Sequence, residues 1–252
     1  MFGVPPRGAF DRESLQLANV LVGNEPETPA LELTMATAAA VATGDLYVSL
    51  VGSGDSRALP LKSGERLQIK PGTGARCYLA VRGGWVGTLS ERITAGNLPT
   101  RRNSTGSPKA LASPPDSLRD RPIRILPGPA AEHGFTDLTR ATLQVRLDSD
   151  RVGVRLDGLK LPTPPEQTSE PTSPGAIQVT RDGTPILLGP DGPTIGGYPV
   201  IAHVISADLD RVGQLPPGAQ VTFEMVTHEQ SQAAFIEREE RLIRTLKMLR
   251  LA

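Results

Sequence analysis

The 252-residue chain has a single cysteine, Cys77, so no internal disulfide can brace the fold. None is needed at this length, because such a chain buries enough apolar surface for one large domain or two small ones. Cys77 sits between Arg76 and Tyr78 in an alternating run, which predicts a buried, inert thiol on a strand. Charge of one sign is missing as well: 27 Lys and Arg offset 27 Asp and Glu. That balance gives no electrostatic reason to expect nucleic acid or an anionic membrane as partner. No apolar run approaches the ~18 residues of a membrane helix, and no charged-then-apolar leader follows Met1, so a cytoplasmic, reducing location is expected.

Several standard sites are absent too. The three histidines, His133, His203 and His228, are not at metal-ligand spacing, and no metal is expected. There is no G-x-x-x-x-G-K-[ST] phosphate loop and no G-x-S-x-G nucleophile elbow. Gly52-Ser53-Gly54 and Gly72-Thr73-Gly74 read as strand-end turns, since neither opens a helix. ATP, if bound, is bound without a Walker loop.

Glycine and proline are plentiful, at 26 and 24 residues, and the apolar residues come in short bursts, a pattern of many short strands joined by turns. Strand-like runs lie at Ala30–Thr34, Leu46–Val51, Arg66–Ile69 and Arg76–Val81. A helix is predicted over 11–22, with Asp11 as its cap, Leu15, Ala18, Leu21 and Val22 on one face, and Gly23-Asn24 ending it. Residues 97–122 are rich in Pro, Ser and Arg and read as a mobile linker. A second β-rich half starts near Ile123, and within it the polar Pro162–Pro174 tract reads as a lid or a wandering loop. Leu61–Ile69 and Leu215–Phe223 share a turn, glycine and strand pattern, which hints at duplicated barrels. Glu229–Leu251 is predicted helical, docking through Phe235, Leu242, Ile243, Leu246 and Leu249. The resulting divisions are 1–96 and 123–227 for the two halves, 97–122 for the linker and 228–252 for the terminal helix.

The densest signal is Gly175–Phe223. Asp182-Gly183 should close a hairpin between Ile177–Val179 and Ile186–Leu188, because that dipeptide tolerates positive φ. The chain then enters a glycine-rich loop, Gly189–Tyr198, carrying Asp191, Thr194 and Tyr198. Glycines let backbone approach a ligand and expose successive N–H groups to an oxyanion, while Asp191 could orient a water or an amine. Composition leaves two readings open, a binding loop or an irregular turn around a buried tyrosine. Upstream, Arg151 and Arg155 could each clamp a carboxylate or phosphate, with at least one of them a solvated surface residue.

Taken in order, GVPPRGAFDRESLQLANVLVGN with Ala30-Leu31-Glu32, Tyr78–Gly84, Asp150–Leu156, Gly175–Val179 and Thr194–Pro199 resemble the carboxyltransferase-like family that includes the C subunit of 5-oxoprolinase, allophanate hydrolase subunit 2 and urea carboxylase. The motifs span most of the chain. The resemblance implies a mainly β fold of two linked cyclophilin-like β-barrel halves, with short helices and a C-terminal helix. It implies a complex with subunit-B-like and subunit-A-like partners that uses ATP with Mg to open 5-oxoproline, a small-molecule substrate, to the amino acid. Carried over residue by residue, the catalytic set is Asp191, Thr194, Tyr198 and Arg155, and the substrate-binding set is Arg7, Asp11, Glu32, Gln178, Gly196 and Gly197.

The chain departs from the family pattern in places. A first strand precedes the GVP motif in relatives, so the first half is expected to be incomplete or its start displaced. Arg7 stands where the family has serine, the S-R-S-T segment after Gly83-Gly84 is abbreviated, and Gly192-Pro193 replace polar residues. These changes keep open a non-catalytic regulator that binds a subunit-B-like partner. A biotin-dependent carboxyltransferase comes third; biotin is not an expected cofactor, because the lysine motif of a biotin carrier is missing.

Overall fold

The computed structural model describes residues 7–35, 37–52, 55–70, 72–85, 109–110, 121–162 and 168–251. The chain forms two compact units, 11–115 with 241–252 and 1–10 with 116–240. We call them the amino-half and carboxyl-half units.

In the amino-half unit, Asp11 takes extended backbone angles and its Oδ1 accepts from the Ser14 amide at 2.9 Å, capping helix α1 (Arg12–Leu21). Such a cap contributes ~1 kcal/mol. Gly23, at φ +81°, ends the helix as predicted, by donating to the Val20 carbonyl. The buried face is Leu17, Ala18 and Leu21, with Leu15 only half-buried. The strands that follow are β1 (Leu31–Thr34), β2 (Ala38–Val41), β3 (Leu46–Gly52), β4 (Asp55–Leu61), β5 (Arg66–Ile69), β6 (Arg76–Val81) and β7 (Lys109–Ala110). Five form a sheet in the order β1-β6-β3-β4-β7, and β2 pairs with β5. Val48, Leu50, Leu67, Ile69, Leu79 and Val81 make the core, together with Cys77, which is buried as expected. Within the tract read as a mobile linker, Lys109 and Ala110 pair with β4 at a sheet edge, and most of the rest of 97–122 lies outside the described residues.

The carboxyl-half unit contains β8 (Ile123–Pro127), α2 (Phe135–Arg140), β9 (Leu143–Val145), β10 (Gly153–Asp157), β11 (Glu170–Pro171), β12 (Ala176–Val179), β13 (Pro185–Leu188), β14 (Ile195–Gly196), β15 (Val200–Val204), α3 (Leu209–Gly213), β16 (Gln220–Val221) and β17 (Phe223–Met225). Eight strands make one sheet in the order β16-β9-β10-β13-β12-β15-β8-β17. Its outermost strands, β16 and β17, are separated by Thr222 alone, whose carbonyl accepts from Ile123 at 2.8 Å. A single residue cannot bridge the breadth of an open eight-stranded sheet whose neighbours lie about 4.8 Å apart, so the sheet curls into a nearly closed barrel. Ile125, Leu138, Leu143, Leu156, Ile177, Leu187 and Ile201 fill it and are fully buried. The expected hairpin forms between β12 and β13, with Gly183 at φ +80°.

The turn echo between the units is physical. Gly64 donates to the Ala42 carbonyl at 2.7 Å and Ala42 to Glu65 at 2.9 Å; Gly218 donates to Val145 at 2.8 Å and Val145 to Ala219 at 2.9 Å. Both glycines have positive φ, +85° and +84°.

Helix α4 (His228–Leu251) starts at a capping box: the Thr227 amide donates to Gln230 Oε1 and the Gln230 amide to Thr227 Oγ1. The single apolar face expected of it forms in part, with Leu246 and Leu249 half-buried. Ala234 and Leu242 are buried, whereas Phe235 and Ile243 are 45% and 48% exposed. Ala234 packs with Ile205 and Val226, and the ion pairs Arg238 to Asp210 and Arg241 to Glu13 add to that packing.

Barrel orientation predicts opposite outcomes for neighbours on β10. Leu156→Ala should lower unfolding free energy by about 2–5 kcal/mol, and Arg155→Ala, on the outward face, should change it by less than about 0.5 kcal/mol. Urea denaturation measures both.

Candidate functional site

Glycine lets the loop after β13 pack closely in the carboxyl-half unit. An added Cβ at Gly189 would lie 2.2 Å from the Arg151 carbonyl oxygen and 3.0 Å from the Phe10 ring, so no larger residue fits. At Gly192 it would lie 3.0 Å from the Gly189 and Val152 carbonyls. Held this way, Asp191 donates its amide to the Arg151 carbonyl at 3.2 Å. Its carboxylate accepts from Arg151 Nε at 2.8 Å and Nη2 at 3.0 Å, a two-point ion pair. The Arg151 hydrogen bonds, and secondarily the charges of Arg151 and Arg7, hold the Asp191 pKa below the usual carboxylate value. Asp191 is therefore a fixed anion, better suited to orienting a ligand than to taking a proton.

The segment before α1 lies along this loop. Arg7 donates its amide to the Pro190 carbonyl at 3.1 Å, Arg151 Nη2 donates to the Gly8 carbonyl at 2.6 Å, and Phe10 is buried in the barrel core. Arg7 itself adopts φ +55°, a left-handed conformation uncommon for a residue with a side chain.

Gln178 lies on β12, where the register with β15 shifts between Ile177 and Gln178. Such bulges re-aim side chains. Gln178 is 3% exposed, and its Nε2 donates to the Tyr198 carbonyl at 3.3 Å. A Cβ on Gly196 would stand 3.2 Å from that nitrogen. Strand β11 pairs with β14, and the Thr172 amide donates to the Thr194 carbonyl at 2.9 Å. The end of the Pro162–Pro174 tract is thus paired with the candidate loop, and 163–167 lie outside the described residues. Thr172 Oγ1 is buried with no hydrogen-bond partner among the described residues. Tyr198 is 43% exposed, so the buried-tyrosine reading of this loop does not hold.

Asp11 and Glu32 belong to the amino-half unit. The Asp11 amide donates to the Tyr78 hydroxyl oxygen at 2.8 Å, and that hydroxyl donates to Glu32 Oε2 at 2.7 Å. Arg76 Nε lies 3.3 Å from Glu32 Oε1. Burial, then the nearby charges of Glu32 and Asp11, push the Tyr78 phenol far above its ordinary value and keep it protonated. Tyr78 and Arg76 were not singled out as site residues, because the signal lies in strand pairing: Glu32 stands opposite Tyr78 in the β1–β6 register.

Within the carboxyl-half unit the structure therefore joins Arg7 to the Asp191 loop and Gln178 to Gly196 and Tyr198. Gly197 lies between the latter two and is half-buried. Arg155 stands apart: its side chain is 45% exposed, 3.8 Å from Asp148, and the arginine on Asp191 is Arg151. Of the two arginines in the Asp150–Leu156 motif, the one omitted from the catalytic set makes the contact.

The model of the carboxyltransferase domain, subdomain A and B, matches residues 2–92 and 90–225. The chain belongs to that family. It is 34% identical to the C subunit of 5-oxoprolinase from Escherichia coli (strain K12), over 92% of this chain and 86% of that protein. It is 29% identical to urea amidolyase of Saccharomyces cerevisiae, over 92% of this chain but only 16% of that protein. The crystal structure of TTHA0988 superposes with a TM-score of 0.79 at 30% identity, covering 88% of this chain and 50% of that one. Kluyveromyces lactis urea carboxylase gives a TM-score of 0.75 at 25% identity, covering 95% of this chain and 26% of that one. The family fold and the nearly closed barrel agree.

Arg151→Gln should raise the pH at which Asp191 protonates, as followed by carboxyl-carbon NMR. In the native protein the pair stabilises fully above the ordinary aspartate value of about 3.9 and loses its contribution as pH falls through the depressed one. An unmoved titration midpoint would show that the pair does not hold Asp191. Tyr78→Phe should cost about 1–3 kcal/mol by orphaning buried partners, checked by urea unfolding.

Proposed function

We propose that the chain is a subunit of an ATP-dependent amidohydrolase of the 5-oxoprolinase type, opening 5-oxoproline or a related lactam or amide to the amino acid. One observation carries this reading: 34% identity over nearly the whole of both chains to a protein named as a 5-oxoprolinase subunit. The chain works with subunit-B-like and subunit-A-like partners, in the cytoplasm. No helix among the described residues is long and apolar enough to cross a membrane.

Asp191 then acts as the fixed anion that orients the reacting group, braced by Arg151. Gln178 presents its amide beside Gly196 and Gly197, where the backbone can come close to a ligand. Thr194 and Tyr198 flank that position, and Arg7 lies on the substrate side of the loop. Asp11 and Glu32 are linked through Tyr78 within the amino-half unit, and Arg155 stands exposed near Asp148. Among the described residues no three His, Cys, Asp or Glu side chains converge to hold a metal ion. Mg–ATP is assigned to the complex.

A second reading is a non-catalytic regulator that binds a subunit-B-like partner. It is favoured by an Asp191 carboxylate already engaged through both oxygens, with Gly192 and Pro193 beside it in place of polar side chains. The test is co-expression with candidate A and B subunits, followed by 5-oxoproline-dependent phosphate release. Turnover is expected. A stable complex without turnover, beside an active Escherichia coli complex, would replace the enzyme reading with the regulator.

A further inference from the structure

Arg7 is exposed, and among the described residues its guanidinium has no hydrogen-bond or ion-pair partner. Its backbone, by contrast, is fixed on both sides. The Arg7 amide is bonded to Pro190, the Gly8 carbonyl receives Arg151, and Phe10 is 6% exposed within the barrel core. Those contacts hold Arg7 in a left-handed conformation at φ +55°, of the kind that persists where surroundings over-determine it and that clusters at ligand clamps.

Asp191, the carboxylate on the loop, feels the Arg7 charge but accepts its side-chain hydrogen bonds from Arg151, through both oxygens at 2.8 and 3.0 Å. Arg7, Arg151 and Asp191 together leave one positive charge, on a planar fork whose donors match two carboxylate oxygens. A carboxylate monoanion balances that charge. A phosphate dianion would exceed it and would feel the fixed negative charge of Asp191.

We propose that Arg7 forms a carboxylate-binding position that recognises the free carboxylate of the substrate. The identity of the ligand as a lactam carboxylic acid rests on the function proposed above, whereas the carboxylate position itself does not. Recognition then divides the substrate: the Asp191 and Gln178 region meets the ring, and Arg7 fixes the acid. The serine typical of the family at this position would offer one neutral hydroxyl in place of a charged fork.

The test is calorimetric titration of the full chain, alone and in its co-expressed complex, with 5-oxoproline, 2-pyrrolidinone (the same ring without the acid) and inorganic phosphate. The native protein should bind 5-oxoproline at least tenfold more tightly than 2-pyrrolidinone. Arg7→Ser should abolish that preference and leave 2-pyrrolidinone binding unchanged, while Arg7→Lys should restore part of it. Matching thermal midpoints would establish that the variants are folded. A preference that survives in Arg7→Ser, or no preference in the native protein, overturns the proposal. Arg7-dependent binding of phosphate in preference to 5-oxoproline overturns the carboxylate assignment. Native turnover with an unchanged KM in Arg7→Ser refutes this proposal alone; an Arg7-dependent acid preference in a complex without turnover refutes only the proposed activity.

Discussion

The guanidinium of Arg151 ties together three pieces of chain that are distant in sequence. It grips the Asp191 carboxylate, donates to the Gly8 carbonyl, and stands just before a barrel strand that buries Val154 and Leu156. Few neutral side chains could do this, because the fork has to satisfy a charge and a backbone oxygen in one plane. Its partners are held in turn by close packing at Gly189, where a single methyl group would meet the Arg151 backbone. The candidate loop is thus built around one arginine and the absence of one side chain.

Barrel closure supplies the rigidity behind that arrangement. The edge strands of the eight-stranded sheet meet at Thr222, so the sheet has little freedom to splay. The β12–β15 bulge then turns the polar Gln178 into the region of Gly196 and Tyr198, on a strand otherwise occupied by apolar residues. A buried amide at such a place costs stability unless its hydrogen bonds are met, and the Tyr198 carbonyl meets one of them.

Much of this was legible in the residues. Alternating runs marked β5 and β6 to the residue, Asp11 and Gly23 marked both ends of α1, and Asp182-Gly183 marked the hairpin. What stayed hidden depended on pairing. β2 is three alanines and a valine, with little strand preference, and β4 carries Asp55, Arg57 and Pro60, residues tolerated near a sheet edge. Arg151 and Arg155 were equivalent as letters; only the strand's emergence from the loop at Gly153 separates the one that meets Asp191 from the one facing Asp148. Tyr78 was visible as a motif residue, but its bond to Glu32 required the register.

Neither compact unit is drawn from one continuous stretch of chain. Residues 1–10 join 116–240, and residues 241–252 join 11–115. Arg151 reaches Gly8 across 143 positions, and Arg241 reaches Glu13 across 228. On the ribosome, the opening segment must therefore wait for the later barrel, and the earlier unit must wait for the last turns of α4. Contacts so widely separated slow folding and leave apolar surface uncovered for longer. The architecture that assembles the candidate site thus also makes each half depend on a segment made far from the rest of it along the chain.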